Sequence, residues 1–465
     1  MNTHLQDKPL DFSRVQSARG LSYRVLCAAL DGASFASRLL EEVLTSGDYS
    51  GQDRRLATEL TNGVVRRERT LDTILETFVS RGRGGIEPEL WCLLRLGVYQ
   101  LVFLDGVPTH AAVNETVALA KSVGRGRWTG FANGVLRSIS RAIARDVATE
   151  PARNAVPIRA GRFRSFDRRL FADPHQQPAE YFADAFGFTN WAAQRWFERF
   201  GWGRLLNLGF WFNAVPLPYL RVNLLKVDRD VLLEDLATAG IAATAGQLGE
   251  SIRLNESARI TDLPGFRQGW FTVQDESAMA AARLLNPQPG MRVWDICAAP
   301  GGKTTHLAEI MQNRGMVLAT DIEARRLRNI EESRDRLGLD IISTRVIGAD
   351  GRDLPDGPFD AILLDAPCSN SGVLGKRPEA RQRLTAENVA ELCGLQRRLL
   401  SLALDRLAPG GRLVYSTCSI EPEENLEVLQ AVLAERGTFQ LHEEREHLPG
   451  EPADGGYQAL ILRPQ

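Results

Sequence analysis

The sequence predicts a multidomain protein: an all-α helical bundle, a small α+β module and a C-terminal α/β domain with a parallel sheet covered by helices on both faces. Three observations predict it. Apolar residues recur at i, i+3, i+4 and i+7 from about residue 14 to 145. Strand-like and helix-like pieces mix over 181–274. From 275 to 465 short apolar strands alternate with helical stretches, the pattern of a parallel sheet. The length of 465 residues suits two to four domains at roughly 100–200 residues each.

The helical part reads through ARGLSYRVLCAALDG, DRRLATELTNGVVRRERTLDTILETF, ELWCLLRLGVYQLVFL and HAAVNETVALAKSV, with Gly or Pro at the ends. Residues 146–180 combine Arg, Pro and Asp without periodicity, which predicts a linker crossing a surface. In 181–274, FTNWAAQRWFERF is amphipathic, LPYLRVNLLK alternates as a strand and DRDVLLEDLATAG is helical. The strands of the last domain are MRVWDI, GMVLATD, IISTRVIG, FDAILLD, RLVYSTC and QALILR.

Composition narrows the function classes. Hydrophobic residues are 44% and charged residues 25%, ordinary for a globular chain. No apolar run approaches the ~18–20 residues of a membrane span, and the N-terminus lacks the order of a signal peptide, so a cytoplasmic protein without a membrane partner is expected. The six cysteines form no C-x-x-C pair and no His stands at ligand spacing, so no metal is expected. Net charge is −2, but six arginines (153, 159, 162, 164, 168, 169) fall within 153–169, and ten acids lie between Glu421 and the end. Such runs are either solvated faces or contact surfaces. The same choice applies to Arg66, Arg67 and Arg69.

In an open α/β sheet, ligands bind beyond the carboxyl ends of the strands. The first strand runs into Cys297-Ala298-Ala299-Pro300-Gly301-Gly302-Lys303, the second ends at Asp321, and the third is followed by Asp350. The fourth ends in Asp365-Ala-Pro-Cys368 and the fifth in Ser416-Thr-Cys418-Ser419. All five therefore place a polar or reactive group on one edge. The glycines of 297–303 let a ligand approach the backbone. A phosphate loop needs G-x-x-x-x-G-K-[ST], and its first glycine is Cys297 here; G-x-G-x-x-G is absent. A nucleoside-type cofactor without a long phosphate chain fits better. Asp321, about 20 residues on, suits ribose hydroxyls. Asp350 suits an adenine edge or, alternatively, a helix N-cap.

Asp365, Cys368 and Cys418 suggest chemistry at a pyrimidine. C5 of cytosine is a weak nucleophile, and addition of a thiolate at C6 makes it enamine-like and able to accept a methyl group. A thiolate must be generated, because a free thiol is only slightly ionised at pH 7. A carboxyl group at N3 and the exocyclic amine would stabilise the adduct. Spacing does not rank the two thiols. Cys27, Cys92 and Cys393 lie in helical stretches and read as packing.

DAPCSNSGVLGKRPEARQRL and YSTCSIEPEEN resemble the RNA cytosine-C5 methyltransferases of the Sun/NSUN (RsmB-like) family, and WDICAAPGGKTTHLAE resembles its first cofactor motif. The resemblance covers about 181 to the end. The helical domain resembles NusB in DRRLATELTNGVVRR, LLRLGVYQLVFL, HAAVNETV and FANGVLR. The combination resembles the bacterial type that methylates small-subunit (16S) ribosomal RNA. It implies a Rossmann-like domain that uses S-adenosylmethionine, held by residues 297–303, Asp321, Asp350 and Asp365. DNA cytosine methyltransferases attack with the cysteine of Pro-Cys. The RNA family uses that of T-C-S, which implies Cys418 as nucleophile, Cys368 as an aid to product release and Asp365 as a contact to cytosine. Lys303 is expected near cofactor and base. VLGKRPEAR after Gly372 departs from the Arg-Arg-His-Pro-Asp-like sequence of many bacterial members, which bears on substrate contacts. The target base must be unstacked, and the helical domain, the arginine-rich stretch and the 181–274 module are expected to grip the surrounding ribosomal RNA through phosphates. The competing readings are a phosphate-loop NTPase and a non-enzymatic antitermination factor.

Overall fold

A computed structural model describes residues 17–32, 34–256, 258–348, 353–450 and 453–465. Asp350 lies outside the described residues. The chain forms two compact units, Met1–Ala214 and Val215–Gln465.

The first unit opens with seven helices: α1 (Ala18–Ala28), α2 (Ala36–Ser46), α3 (Gly51–Arg66), α4 (Glu68–Phe78), α5 (Pro88–Phe103), α6 (Thr109–Ser122) and α7 (Thr129–Ala142). α5 is buried without interruption from Leu90 to Val102, so it is the central helix and its neighbours show it their apolar stripes. Gly97 permits a close approach of α7, because a Cβ there would stand 2.7 Å from Leu136. The central helix also carries a charge. Arg95 is 5% exposed and pairs with Asp72 at 2.6 Å and Glu68 at 2.8 Å.

Three expectations about this unit change. The stretch 146–180 is not an irregular linker. With the end of α7 it forms an antiparallel sheet, β1 (Ile143–Ala148), β2 (Ala155–Arg159) and β3 (Arg162–Phe166), in the order β1-β3-β2. The alternation in RFRSF, with Phe163 and Phe166 buried, is a strand signal hidden by arginine content. Four of the six arginines are engaged there: Arg162 and Arg164 pair with Asp105, Arg153 with Asp173, and Arg168 with Asp167. Arg66 and Arg67 are buried, Arg67 over the Phe103 ring at 4.7 Å, while Arg69 pairs with Asp184. These helix arginines are therefore neither solvated nor free for phosphate. Finally, the boundary expected at 180/181 falls inside α8 (Pro178–Phe186). α8 and the kinked α9 (Asn190–Asn213) close this unit through an aromatic cluster that includes Phe182, Phe186 and Phe188.

The second unit begins with a four-stranded antiparallel sheet, order β5-β6-β4-β7, from β4 (Tyr219–Val222), β5 (Ala243–Ala245), β6 (Ser251–Leu254) and β7 (Phe271–Val273), with α10 (Arg229–Thr238) packed on it. Then follow α11 (Glu276–Leu285), β8 (Arg292–Asp295), α12 (Gly302–Ile310), β9 (Met316–Asp321), α13 (Ala324–Leu337), β10 (Ile342–Val346), β11 (Phe359–Asp365), α14 (Ala386–Leu404), β12 (Leu407–Thr417), α15 (Leu426–Glu435), β13 (Gln440–His447) and β14 (Gly456–Leu462). The seven-stranded sheet has the order β10-β9-β8-β11-β12-β14-β13. Five strands are parallel, as expected, but β14 runs antiparallel to β12, and β13, unforeseen in the charged sequence QLHEEREH, pairs antiparallel to β14. The short β13–β14 connection allows only that direction, and the charges of β13 suit an exposed sheet edge.

Arg221 ties the two sheets of this unit together. It is fully buried on β4, bonds Glu309 through Nε and Nη2 at 2.9 Å each, and reaches Gly302 O at 2.6 Å and Thr305 Oγ1 at 2.9 Å. The start of α12 is thereby fixed from the module side.

Removing the side chain of Arg95 leaves two carboxylates facing a low-dielectric core. Arg95→Ala is expected to destabilise the first unit by roughly 3 kcal/mol, read as a lower urea midpoint for the helical transition.

Candidate active site

The chain runs outward from β8 through β9 to β10, then returns to place β11 on the other flank of β8. That reversal opens a crevice between the exits of β8 and β11. Strand register aligns the exits: Asp295 lies beside Leu363, and Asp365 beside Ser416. The crevice leads into a cavity of about 710 Å³ whose lining includes Cys297, Asp321, Ile322, Asp365, Cys368 and Cys418.

The loop after β8 turns at Gly301, whose φ of 105° and approach to Ile330, 2.8 Å from a notional Cβ, leave no room for a side chain. Asp321 accepts from the backbone N–H of Ala299 at 3.3 Å and of Glu323 at 3.1 Å, and pairs with Arg326 at 3.3 Å. Arg326 in turn donates to Ala299 O at 2.7 Å. Asp321 thus holds the loop in place while lining the cavity. Cys297 has its thiol pushed well up by burial, and Asp321 and Asp365 act in the same direction. It stays protonated and is a wall, not a nucleophile.

Lys303 pairs with Asp365 at 2.7 Å. Burial lowers this lysine, but Asp365, with Cys418 and Asp295, more than offsets it and raises the ammonium above its ordinary value. Thr304 donates its hydroxyl to Asp295 at 2.6 Å. The Lys-Thr pair that a phosphate loop would offer to phosphate and magnesium is therefore committed to two carboxylates, which removes the NTPase reading's physical basis.

The two strand-exit thiols meet. Cys368 Sγ and Cys418 Sγ are 3.2 Å apart. The hydrogen bond from Cys368 lowers the Cys418 thiol below its ordinary value; burial and Asp365 oppose this, while Arg377 and Lys303 assist. Cys368 moves the other way, raised by the same bond and by burial. Asn370, at a φ of 63°, donates to Cys368 O at 2.9 Å and places its Oδ1 3.3 Å from Cys418 Sγ. Of the remaining cysteines, Cys92 and Cys393 are buried and Cys27 half-buried.

The structure thus brings together every described residue that the sequence pointed to: 297–303, Asp321, Asp365, Cys368 and Cys418. Sequence reading missed Asn370, Arg326, Arg377 and Glu424. Asn370 directly follows the Asp-Ala-Pro-Cys-Ser signal and was within reach. Glu424 was hidden in the acidic C-terminal run, in which Glu421, Glu424 and Asp454 are buried and so fit neither of the two readings, solvated face or contact surface.

Comparison with known proteins agrees with this geometry. The profile of the 16S rRNA methyltransferases RsmB/F matches residues 282–462, that of the NusB family 16–141, and the ferredoxin-like domain of RsmF/B-like methyltransferases 188–261. A probable ribosomal RNA small subunit methyltransferase B of Synechocystis is 37% identical over 415 residues, 88% of this chain and 87% of that protein. The ribosomal RNA small subunit methyltransferase B of Klebsiella pneumoniae is 33% identical, covering 92% of this chain and 97% of its own. The chain belongs to the RsmB/F family of 16S rRNA methyltransferases. Among solved structures, that of PH0851 shares the fold at a TM-score of 0.77 and 24% identity, over 96% of this chain and 98% of its own. A methyltransferase homolog protein from Pyrococcus horikoshii is 31% identical at a TM-score of 0.54, over 61% of this chain and 97% of its own. The chain is an RNA methyltransferase with a NusB domain, so the antitermination reading falls.

Asp295 gives a pH test of the loop's foundation. It is fully buried, its Oδ1 has no partner, and burial pushes its carboxyl up to about 7, with Asp365 and Asp321 adding to the effect. The folded state therefore keeps a proton that the unfolded chain releases near pH 4. Stability is full below about pH 4 and falls as pH rises towards 7. Asp295→Asn, which cannot ionise, is expected to match the parent near pH 4 and to gain several degrees in Tm between about pH 4 and 7. A constant difference across that range would refute the assignment.

Proposed function

We propose that the protein transfers a methyl group from S-adenosylmethionine to C5 of a cytosine in 16S ribosomal RNA through a covalent adduct at Cys418. The observation that carries this reading is the pair of thiols 3.2 Å apart, Cys418 lowered below its ordinary value, on a cavity shared with the Lys303–Asp365 ion pair.

The residues present fit the cofactor. The cavity has the size of a ligand site, within the ~300–1,000 Å³ usual for one. Ile322, 54% exposed at the exit of β9, offers an apolar wall. Residues 297–303 and Asp321 would hold the nucleoside and amino acid parts, with Asp365 at the border to the base. When bound, the cofactor supplies an electrophilic methyl group.

The chain's own residues account for the rest. The Cys418 thiolate donates its electron pair to C6, forming an S–C6 bond and moving the C5–C6 π pair towards C5. Asp365, steadied by Lys303, faces N3 and the exocyclic amine and stabilises charge in the ring. Once C5 carries the methyl group, loss of the C5 proton drives elimination, and the S–C6 pair returns to Cys418. Cys368, in hydrogen-bond contact with that sulfur, is placed to protonate it as the C5 proton passes to solvent water; Cys368 then regains a proton from solvent, and one net proton is released when Cys418 returns to its thiolate. This asymmetry supports the order that the family resemblance implies. A ribosomal RNA substrate supports a cytoplasmic location.

The test is a pair of variants with ribosomal RNA from a strain lacking the gene. Cys418→Ala is expected to abolish methylation and form no RNA adduct. Cys368→Ala is expected to accumulate a denaturation-resistant adduct. The reverse pattern would exchange the roles, and absence of new 5-methylcytosine by bisulfite mapping with the parent enzyme would reject the reaction.

A further inference from the structure

We propose that Glu424 is a positioning residue that ties the loop carrying Cys368 to the loop carrying Cys418 and thereby sets the geometry of the thiol pair. The proposal deepens the reading above, which supplies the thiols' role.

The two thiols come from different strand exits, 50 residues apart in sequence. Strand pairing between β11 and β12 ends at Ala366 N, which donates to Ser416 O at 2.8 Å, and the loops meet again where Gly372 N donates to Cys418 O at 3.0 Å and Ile420 N to Ser371 Oγ at 2.9 Å. None of these bonds holds the residue directly after Cys368. A thiol–thiol contact is a weak hydrogen bond and does not fix its own length.

Glu424 is 0% exposed and takes four hydrogen bonds. Its Oε1 accepts from the Ser369 backbone N–H at 2.8 Å and from Gln396 Nε2 at 3.1 Å. Its Oε2 accepts from the hydroxyls of Ser369 and Ser419, each at 2.5 Å. Ser369 is the residue after Cys368, and Ser419 the residue after Cys418. One carboxylate thus grips both loops immediately beside the reactive sulfurs, with charge-assisted bonds that are among the stronger in proteins. Glu424 is itself held: its carbonyl accepts from Tyr415 OH at 2.6 Å, and Asn425 next to it bonds Thr417 Oγ1 at 2.6 Å and Ser419 O at 3.0 Å. Gln396 also donates to Pro367 O at 2.8 Å, so α14 supports the same loop.

The placement also separates the thiols electrically. Among the described residues no cation bonds this carboxylate. Burial raises it above the ordinary carboxyl value, and the four hydrogen bonds from Ser369, Ser419 and Gln396 oppose that by favouring the anion. Its negative charge acts on Cys368, whereas the cations Lys303 and Arg377 act on Cys418. These charges push the two thiols in opposite directions, Cys368 up and Cys418 down.

The experiment uses the full-length protein without RNA or cofactor and measures iodoacetamide alkylation of each cysteine against pH by peptide mass spectrometry. Its outcome is therefore independent of whether the enzyme makes 5-methylcytosine. In the parent, Cys418 is expected to react well ahead of Cys368 at pH 7. Glu424→Gln retains the shape and one acceptor but loses the charge, so the preference for Cys418 is expected to fall on the order of tenfold. Ser369→Ala with Ser419→Ala keeps the charge but removes two donors, and is expected to slow Cys418 alkylation by shifting its pH profile upward. Folding of each variant is checked by Tm. An unchanged Cys418:Cys368 ratio in folded Glu424→Gln, or an unchanged Cys418 pH profile in the folded double variant, overturns the proposal. Equal slowing of all accessible cysteines assigns Glu424 a merely structural role and overturns it as well.

Discussion

Parallel strands β8 and β11 lie side by side because the chain reverses its direction of travel across the sheet after β10. That reversal prevents the connections from closing over the strand ends and leaves a crevice where they diverge. The functional groups follow from it. The glycine turn at 301, the Lys303–Asp365 pair and the thiol of Cys368 all belong to these two exits, and β12, paired to β11 in register, adds Cys418. A slip of one residue between β11 and β12 would turn alternate side chains to the opposite face and separate the sulfurs.

Charge in this crevice is balanced by burial as much as by pairing. Cys297 and Asp295 are raised chiefly by burial, which Arg326 and Lys303 respectively offset only in part. Asp321 and Asp365 face arginine and lysine. Between them, Cys418 is reached by cations on one side and by a thiol donor on the other. The same residue type therefore occupies three different electrostatic settings within one cavity, separated by which charges each sulfur faces.

Support for the crevice comes from beneath and beside it. Arg221, itself without exposure, fixes the first turn of α12 through Gly302, Thr305 and Glu309, so the small antiparallel sheet acts as a brace for the cofactor loop. On the other flank Lys376, in the segment that departs from the usual family pattern, pairs with Asp275 at 2.6 Å and Asp454 at 2.7 Å. This departure anchors the loop bearing Arg377 to the start of α11 and to the turn before β14. The acidic C-terminal run thus contributes three buried groups to the architecture.

The helical first half, the strand alternation of the second and the five strand exits were legible in sequence because periodicity and turn residues are local signals. So were Asp365, Cys368 and Cys418, whose residue types are rarely placed together by packing alone. The sheet at 143–166 was obscured because its arginines masked a period-two pattern, and β13 because its charges face outward from an edge. Burial of Arg66, Arg67, Glu421 and Glu424 was invisible, since a charged residue is placed inside only by partners distant in the chain. The sequence by itself determined that two thiols and a carboxylate leave the sheet on one edge. Only the tertiary structure decided their unequal states, because that depends on Cys368 touching Cys418, on Lys303 and Arg377 facing one sulfur, and on Glu424 lying behind the other.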